Sequence, residues 1–311
     1  MSLLSVQNLR VEFPTRKGTL TAIDGVSFDL NQGEILGLVG ESGAGKSMTG
    51  AAIIGLIEPP GHIAGGSIHL SGQRVDKTPE QFRGSHIGMV FQDPLTSLNP
   101  LQRVGDQLIE TLKLHHGLSD TQAKQRAMQT LDEVGIEGKR WDHYPHEFSG
   151  GMRQRVVIAL ALASDPKVVI ADEPTTALDV SIQAQILALL KQICRARGTG
   201  IILITHDMAV IAQTTDRVAV MYLGRLVELG DTQQVIHNPS HPYTRGLMAS
   251  TPSLQGSVDQ DLYQIMGSMP RLDAVPPGCA FHPRCEKVMD VCRKHVPEFD
   301  GQRACHLSDS Q

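Results

Sequence analysis

The stretch with the most legible chemistry is Gly40-Glu41-Ser42-Gly43-Ala44-Gly45-Lys46-Ser47. It is entered from the apolar run Ile35 to Val39 and left through Met48, Ala51, Ala52, Ile53 and Ile54 at helical spacing. The pattern is G-x-x-x-x-G-K-[ST] between a buried strand and a helix, the context in which it forms a phosphate-binding loop. Gly40, Gly43 and Gly45 carry no side chain, so backbone N–H groups can turn inward onto phosphate oxygens. A helix start adds its dipole and N–H groups, both of which favour an anion. Lys46 supplies a point charge for β- and γ-phosphates, and Ser47 a hydroxyl for Mg2+. A plain glycine turn before a helix is the weaker reading, because the whole pattern is present and correctly flanked.

Other chemistry-bearing residues stand at predicted element ends. The run V-V-I-A, ending at Ala171, reads as a central strand and delivers Asp172-Glu173-Pro174. Asp172 can hold Mg2+, directly or through water, and Glu173 can polarise an attacking water. The strand Gly200 to Ile204 ends in Thr205-His206-Asp207, placing His206 at the same sheet edge, where it can reach a γ-phosphate. Ile87 to Phe91 ends in Gln92-Asp93-Pro94, and a polar side chain at a strand's C-terminal end is a common ligand contact. Ser149-Gly150-Gly151 precede an amphipathic helix expected to begin near Met152, a second anion-binding device, or simply a serine cap. Phe13 is a candidate to stack on adenine or, alternatively, a core residue at a strand end.

These residues need a scaffold, and the rest of the chain supplies one. Leu4 to Phe13 alternates apolar and polar and reads as a strand; a polar loop over Pro14 to Gly18 leads to a second strand, Ala22 to Leu30. Residues 58–85 are punctuated by proline and glycine around one short strand, Ser67 to Leu70. Residues 102–134 have helical spacing, Thr175 to Asp179 form a loop, and Ile182 to Ile193 a helix. Val218 to Tyr222 and Arg225 to Leu229 make a hairpin around Gly224. Strands alternating with helices predict an α/β fold, a parallel sheet flanked by helices. His115, His116, His143 and His146 are set aside as metal ligands, since their spacing does not share a helix face.

Composition bounds the function. A net charge of −5 argues against a nucleic-acid binder. No apolar run approaches the ~18–20 residues that cross a bilayer. The N-terminus lacks a basic region and a cleavage site, so no signal peptide is expected and a cytosolic setting is. Of the five cysteines, Cys194 stands alone, while Cys279, Cys285, Cys292 and Cys305 crowd the C-terminal tail, which in a reducing compartment suggests a metal site more than disulfides.

Taken together these motifs resemble the ATP-binding cassette (ABC) ATPases over roughly residues 1–250. GESGAGKS corresponds to the phosphate loop, Gln92 to the Q-loop glutamine and F-S-G-G-M-R-Q to the signature. V-V-I-A-D-E-P corresponds to the Walker B strand with its glutamate, A-L-D at 177–179 to the D-loop, and His206 to the switch histidine. Phe13 falls where the family places its adenine-stacking aromatic. The signature departs from the commoner LSGGQ, and Met152 cannot hydrogen-bond as glutamine would. H-N-P-S-H-P-Y-T-R-G-L at 237–247, F-Q-D-P-L-T-S-L-N-P at 91–100 and P-P-G-C-A-F-H-P-R-C look like the ATPase subunits of dipeptide, oligopeptide and nickel permeases.

The resemblance implies a P-loop NTPase core with an antiparallel β subdomain, a helical subdomain at about 93–160 and a small cysteine-rich extension at 251–311. It implies ATP held head to tail between the phosphate loop of one cassette and the signature of another. It names Glu173 and His206 as catalytic, Ser47 and Gln92 as Mg2+ ligands, and Phe13, residues 40–47, Gln92, Ser149, Gly150, Gly151, Asp172 and Asp179 as the nucleotide-binding set. The implied partners are a related second ATPase, two transmembrane subunits and, indirectly, a periplasmic binding protein, at the cytoplasmic face of the inner membrane. No nucleic-acid partner is expected. The transported solute is a di- or oligopeptide, with nickel or another small solute as the alternative. A non-transport ABC ATPase would need long coiled coils or a second cassette, and a small-molecule kinase would leave Ser149-Gly150-Gly151 unexplained.

The tail cysteines are spaced C-x5-C-x6-C-x12-C. Four thiolates fit Zn2+ or an iron–sulfur cluster. The absence of tight C-x2–4-C pairs and the resembling permeases favour a 4Fe–4S cluster, with zinc, free thiols or disulfides as alternatives and His282, His295 and His306 as substitute ligands.

Overall fold

The computed structural model describes residues 2–176, 178–250 and 263–307. The chain falls into two compact units interleaved in sequence: a helical unit built chiefly from Leu30–Ile35 and Lys77–Leu203, and a sheet unit built from Leu4–Asp29, Leu36–Asp76 and the chain from Ile204 onward.

In the sheet unit, β1 (Leu4–Thr15), β2 (Gly18–Leu30), β4 (His62–Leu70) and β5 (Gln73–Arg74) form a sheet in the order β2-β1-β4-β5. Leu4, Val6, Leu9 and Val11 of β1 are buried, as are Ile23, Val26, Phe28 and Leu30 of β2. The polar loop expected over Pro14 to Gly18 is only a two-residue turn, since both strands extend into it. Likewise β4 begins before Ser67, because His62 and Ile63 pair with Glu12 and Val11 across register shifts on β1. Its glycines serve a bulged strand rather than a turn, a place where an unpaired residue bends the ladder.

The same unit carries β3 (Ile35–Val39), α1 (Lys46–Ile54), α7 (Met208–Thr214), β9 (Arg217–Tyr222), β10 (Arg225–Asp231), α8 (Thr232–His237), α9 (Pro242–Ala249) and the short α10 (Asp290–Lys294). Strand β3 is buried at every residue and pairs in parallel with β9, which pairs antiparallel with β10. Burial on both faces is why Ile35 to Val39 reads as a continuous apolar run. The tail packs into this unit. Phe281 sits with Tyr222, Tyr243, Val220 and Val227 in one core cluster, the Ala304 N–H donates to the Val227 carbonyl, and Leu229 donates to Gln302.

The helical unit contains β6 (Ile87–Val90), α2 (Pro94–Ser97), α3 (Val104–His116), α4 (Asp120–Glu133), α5 (Gly150–Leu162), β7 (Val168–Asp172), α6 (Val180–Arg197) and most of β8 (Gly200–Thr205), its strands ordered β8-β7-β6. The helical stretch predicted over 102–134 is two helices. Gly117 ends α3 in the left-handed region, and a capping box of Ser119 and Gln122 starts α4. Val104, Leu108 and Leu112 on α3 and Ala123, Ala127 and Leu131 on α4 are buried at spacings of four, the stripe that packs two helices together.

Candidate functional site

The phosphate loop lies in the sheet unit. Gly40 leaves β3 with φ 151°, and a Cβ there would stand 2.3 Å from the Met221 carbonyl oxygen, so only glycine fits. Gly45 is the N-cap of α1 at φ 102°, and no side chain caps that helix start. Lys46 is buried; its Nζ donates to the carbonyls of Gly40 at 2.8 Å and Glu41 at 3.1 Å. The ammonium is therefore held on the loop's own oxygens. The Ala44 N–H donates to Glu41, and Gly224 donates to Ala44, which ties the loop to the β9–β10 turn. Ser42, Gly43 and Ser47 are exposed.

Glu41 is anchored from two further directions. Its N–H donates to the Tyr243 hydroxyl at 2.8 Å, and its carboxylate receives both terminal nitrogens of Arg284, at 2.6 and 2.9 Å. Tyr243 is delivered by α9, whose N-cap is the buried His241, with Nδ1 accepting from the Tyr243 N–H. Burial pushes the His241 imidazole down to about 3, so it is neutral, as an accepting cap requires.

Phe13 is half-buried on β1, its ring tip so close to Gly61 that a Cβ there would stand 2.4 Å away. His206 is exposed at the end of β8, followed by Asp207, which caps α7 by accepting from Ala209 and Val210.

The helical unit gathers the second group. Asp172, buried, is the last residue of β7. Glu173 follows at φ 45°, a left-handed conformation costing ~1 kcal/mol or more for a residue with a side chain. Its carboxylate accepts from Gln92 Nε2 at 3.2 Å and from the Thr176 hydroxyl at 2.9 Å. Gln92 is thus engaged with the carboxylate by its amide nitrogen. Thr176 carried no signal in the sequence beyond lying three residues after the glutamate.

Helix α5 starts at Gly150, not near Met152, because Ser149 is the N-cap, its hydroxyl accepting from the Met152 N–H. Gly151 has its own steric reason: a Cβ would meet Ile182 Cγ2 of α6 at 2.5 Å. The thioether of Met152 takes a weak contact from Arg140 Nη1 at 3.6 Å. Asp179 caps α6; the Ser181 hydroxyl, then the Ile182 N–H, hold its carboxyl below the usual range. Ala177 of the expected D-loop lies outside the described residues.

The ABC transporter family matches residues 23–176, and the oligopeptide/dipeptide transporter C-terminal region matches residues 227–292. OppD of Bacillus subtilis, an oligopeptide transport ATP-binding protein, is 50% identical over 302 residues, covering 95% of this chain and 84% of that protein. This chain belongs to the ABC transporter family.

This ABC ATPase is also 42% identical over 317 residues to the dipeptide transport ATP-binding protein DppD of Escherichia coli, covering 98% of this chain and 97% of that one. Among solved structures, it aligns with cbiO1 of Clostridium perfringens, part of an ABC transporter complex, at TM-score 0.67 and 30% identity, covering 76% of this chain and 91% of that one. It aligns with a dimeric ATP-binding cassette in a post-hydrolysis state with ADP and Pi at TM-score 0.66 and 26% identity, covering 74% and 98%. Among the described residues, no helix of this ABC ATPase is long and apolar enough to cross a membrane.

The four tail cysteines of the ABC ATPase are free thiols, Cys292 buried and the others half-buried. The Cys279 N–H donates to the Cys292 carbonyl at 2.8 Å. Burial pushes the Cys279 thiol up to about 11 and raises those of Cys285 and Cys305, with smaller contributions from the neighbouring cysteines. Among the described residues, no group of three or more His, Cys, Asp or Glu is arranged to hold a metal ion. His282 Nδ1 is instead bonded to the Cys279 carbonyl and His306 Nε2 to that of His295. The donor set suits a thiolate-bound group, because cysteine ligands give up their protons to the metal and are drawn into its geometry on binding.

Proposed function

We propose that this ABC ATPase hydrolyses MgATP to drive uptake of di- or oligopeptides through partner membrane subunits. The observation that carries the reading is the uncapped start of α1 behind Gly40–Gly45, with Lys46 poised on the loop carbonyls. On this reading Phe13 takes the adenine, the N–H groups of residues 40–47 and Lys46 take the β- and γ-phosphates, and Ser47, Gln92 and Asp172 hold Mg2+. Glu173 accepts the proton of the attacking water, and Gln92 and Thr176 orient its carboxylate until nucleotide arrives. His206 contacts the γ-phosphate. Ser149, Gly150, Gly151 and Asp179 serve the ATP bound by a sister cassette, which we take to be a related but different chain. The names OppD and DppD support the peptide reading. Phe91, Leu95 and Leu101 are exposed within eleven residues of Gln92's strand end, an apolar surface suited to membrane-subunit helices on the cytoplasmic face.

The test is Glu173→Gln in the complex with its co-purifying membrane subunits. ATP binding is kept, while ATPase and uptake of a labelled tripeptide fall ~10²–10⁴-fold, the contribution of a positioned general base. An unchanged ATPase rate removes Glu173 from this role. Uptake of nickel but not peptide redirects the solute.

We also propose that Cys279, Cys285, Cys292 and Cys305 hold a 4Fe–4S cluster, with zinc the alternative. The cluster, when bound, cross-links the tail. The support is four thiols collected in one short segment and the backbone bond between Cys279 and Cys292. An anaerobic preparation containing iron and sulfide is expected; a colourless one containing zinc overturns the cluster.

A further inference from the structure

We propose that Arg284, in the C-terminal tail, is a positioning residue for ATP binding: it clamps the phosphate loop through Glu41 and so sets the height of Lys46. The inference rests on reading residues 40–47 as the ATP-binding loop.

The geometry is a fork on a fork. Arg284 Nη1 donates to Glu41 Oε2 at 2.6 Å and Nη2 to Oε1 at 2.9 Å, the bidentate arrangement that fixes orientation as well as distance. Only 5% of the Arg284 side chain is exposed, and 29% of Glu41. The guanidinium is itself held in place. Its Nε donates to the Met266 carbonyl at 2.9 Å, Nη2 lies 3.4 Å from that of Gly267, and Nη1 is 3.5 Å from the Tyr222 hydroxyl. Arg284 is therefore a strut between the tail and the loop, not a mobile surface cation.

Glu41 is the point through which a strut acts. Its N–H is tied to Tyr243, its carboxylate to Arg284, and its carbonyl receives Lys46 Nζ at 3.1 Å. The residue holding the ammonium is thus immobilised from outside the loop. The loop needs this, because Gly40, Gly43 and Gly45 all have positive φ and contribute no side chains of their own. A glycine-rich loop loses much conformational freedom on gripping phosphate, and external anchors remove that cost beforehand. The tail also approaches at Gly43, where a Cβ would lie 3.8 Å from Met269 Sδ.

The experiment is a double-mutant cycle on the full chain: Arg284→Met, Glu41→Gln and both together, with Arg284→Lys as the conservative variant and Lys46→Ala as the loop control. MgATP binding is read by calorimetry and the KM–kcat split by ATPase assay in the complex. Each single variant is expected to raise Kd and KM for ATP about tenfold with kcat nearly unchanged, since the clamp acts alike on ground and transition states. The double variant is no worse than either single, and Arg284→Lys, which can meet only one carboxylate oxygen, recovers part of the loss. A melting temperature that falls while Kd and KM stay at wild-type values overturns the proposal, as does strict additivity. Glu41→Gln keeps size and shape, so the cycle retains a folded member if Arg284→Met destabilises. If Lys46→Ala leaves ATP binding intact, the loop reading itself fails; if it abolishes binding and the Arg284 variants bind normally, only the clamp fails.

Discussion

The starts of α1 and α5 look alike in sequence, small residues and glycines before a helix, yet they are built differently. At α1 the cap is Gly45, in a left-handed conformation and without a side chain to cap the first turn. At α5 the cap is Ser149 in extended backbone, and its hydroxyl already serves the Met152 N–H. One start brings its own cation, Lys46, held on loop carbonyls; the other has an exposed cap serine and Gly150 at its tip. The first joins a cation to a glycine-capped helix start, the pairing that the proposed function assigns to the triphosphate. The second has part of its hydrogen-bonding capacity spent internally and suits a supporting contact to a nucleotide already held by another chain.

Lys46→Ala should separate the two most sharply. Loss of a charged hydrogen-bond donor, worth ~1.5–3 kcal/mol, lowers ATP affinity of the isolated chain roughly tenfold to a hundredfold. Calorimetric binding equal to wild type would dissolve the distinction. Gly45→Ala comes next. Alanine at φ 102° carries ~1–2 kcal/mol of strain, and its Cβ would stand 2.8 Å from Ile23 Cδ1. A lowered melting temperature together with weakened ATP binding is expected, whereas a change in neither means α1 does not depend on that conformation. Ser149→Ala is the smallest. It removes a cap worth ~1 kcal/mol, so the melting temperature falls slightly, isolated ATP binding is unchanged, and ATPase activity falls only when a second cassette is present. Weakened binding in the isolated chain would make α5 a primary site after all.

Much of the candidate chemistry is legible in the order of residues alone. The stretches 40–47, 149–151 and 172–173 are contiguous, and their chemistry depends on backbone conformation and immediate neighbours. The start of β4 and the break between α3 and α4 were not, because they turn on pairing with β1 and on caps at Gly117 and Ser119 that periodicity alone blurs. Thr176 was missed as a partner of Glu173, since its hydroxyl matters only once the glutamate adopts φ 45°.

By itself the amino-acid order determined the phosphate loop, Asp172 and Glu173 at the end of β7, the histidine after β8 and the alternation of strands and helices, since each is a local pattern with a local physical cause. Tertiary structure alone decided that a tyrosine 202 residues and an arginine 243 residues from Glu41 would fasten that loop. Long-range contacts of that kind follow from which buried faces close on one another, here Tyr222, Tyr243 and Phe281 in one core, and no spacing along the chain encodes them.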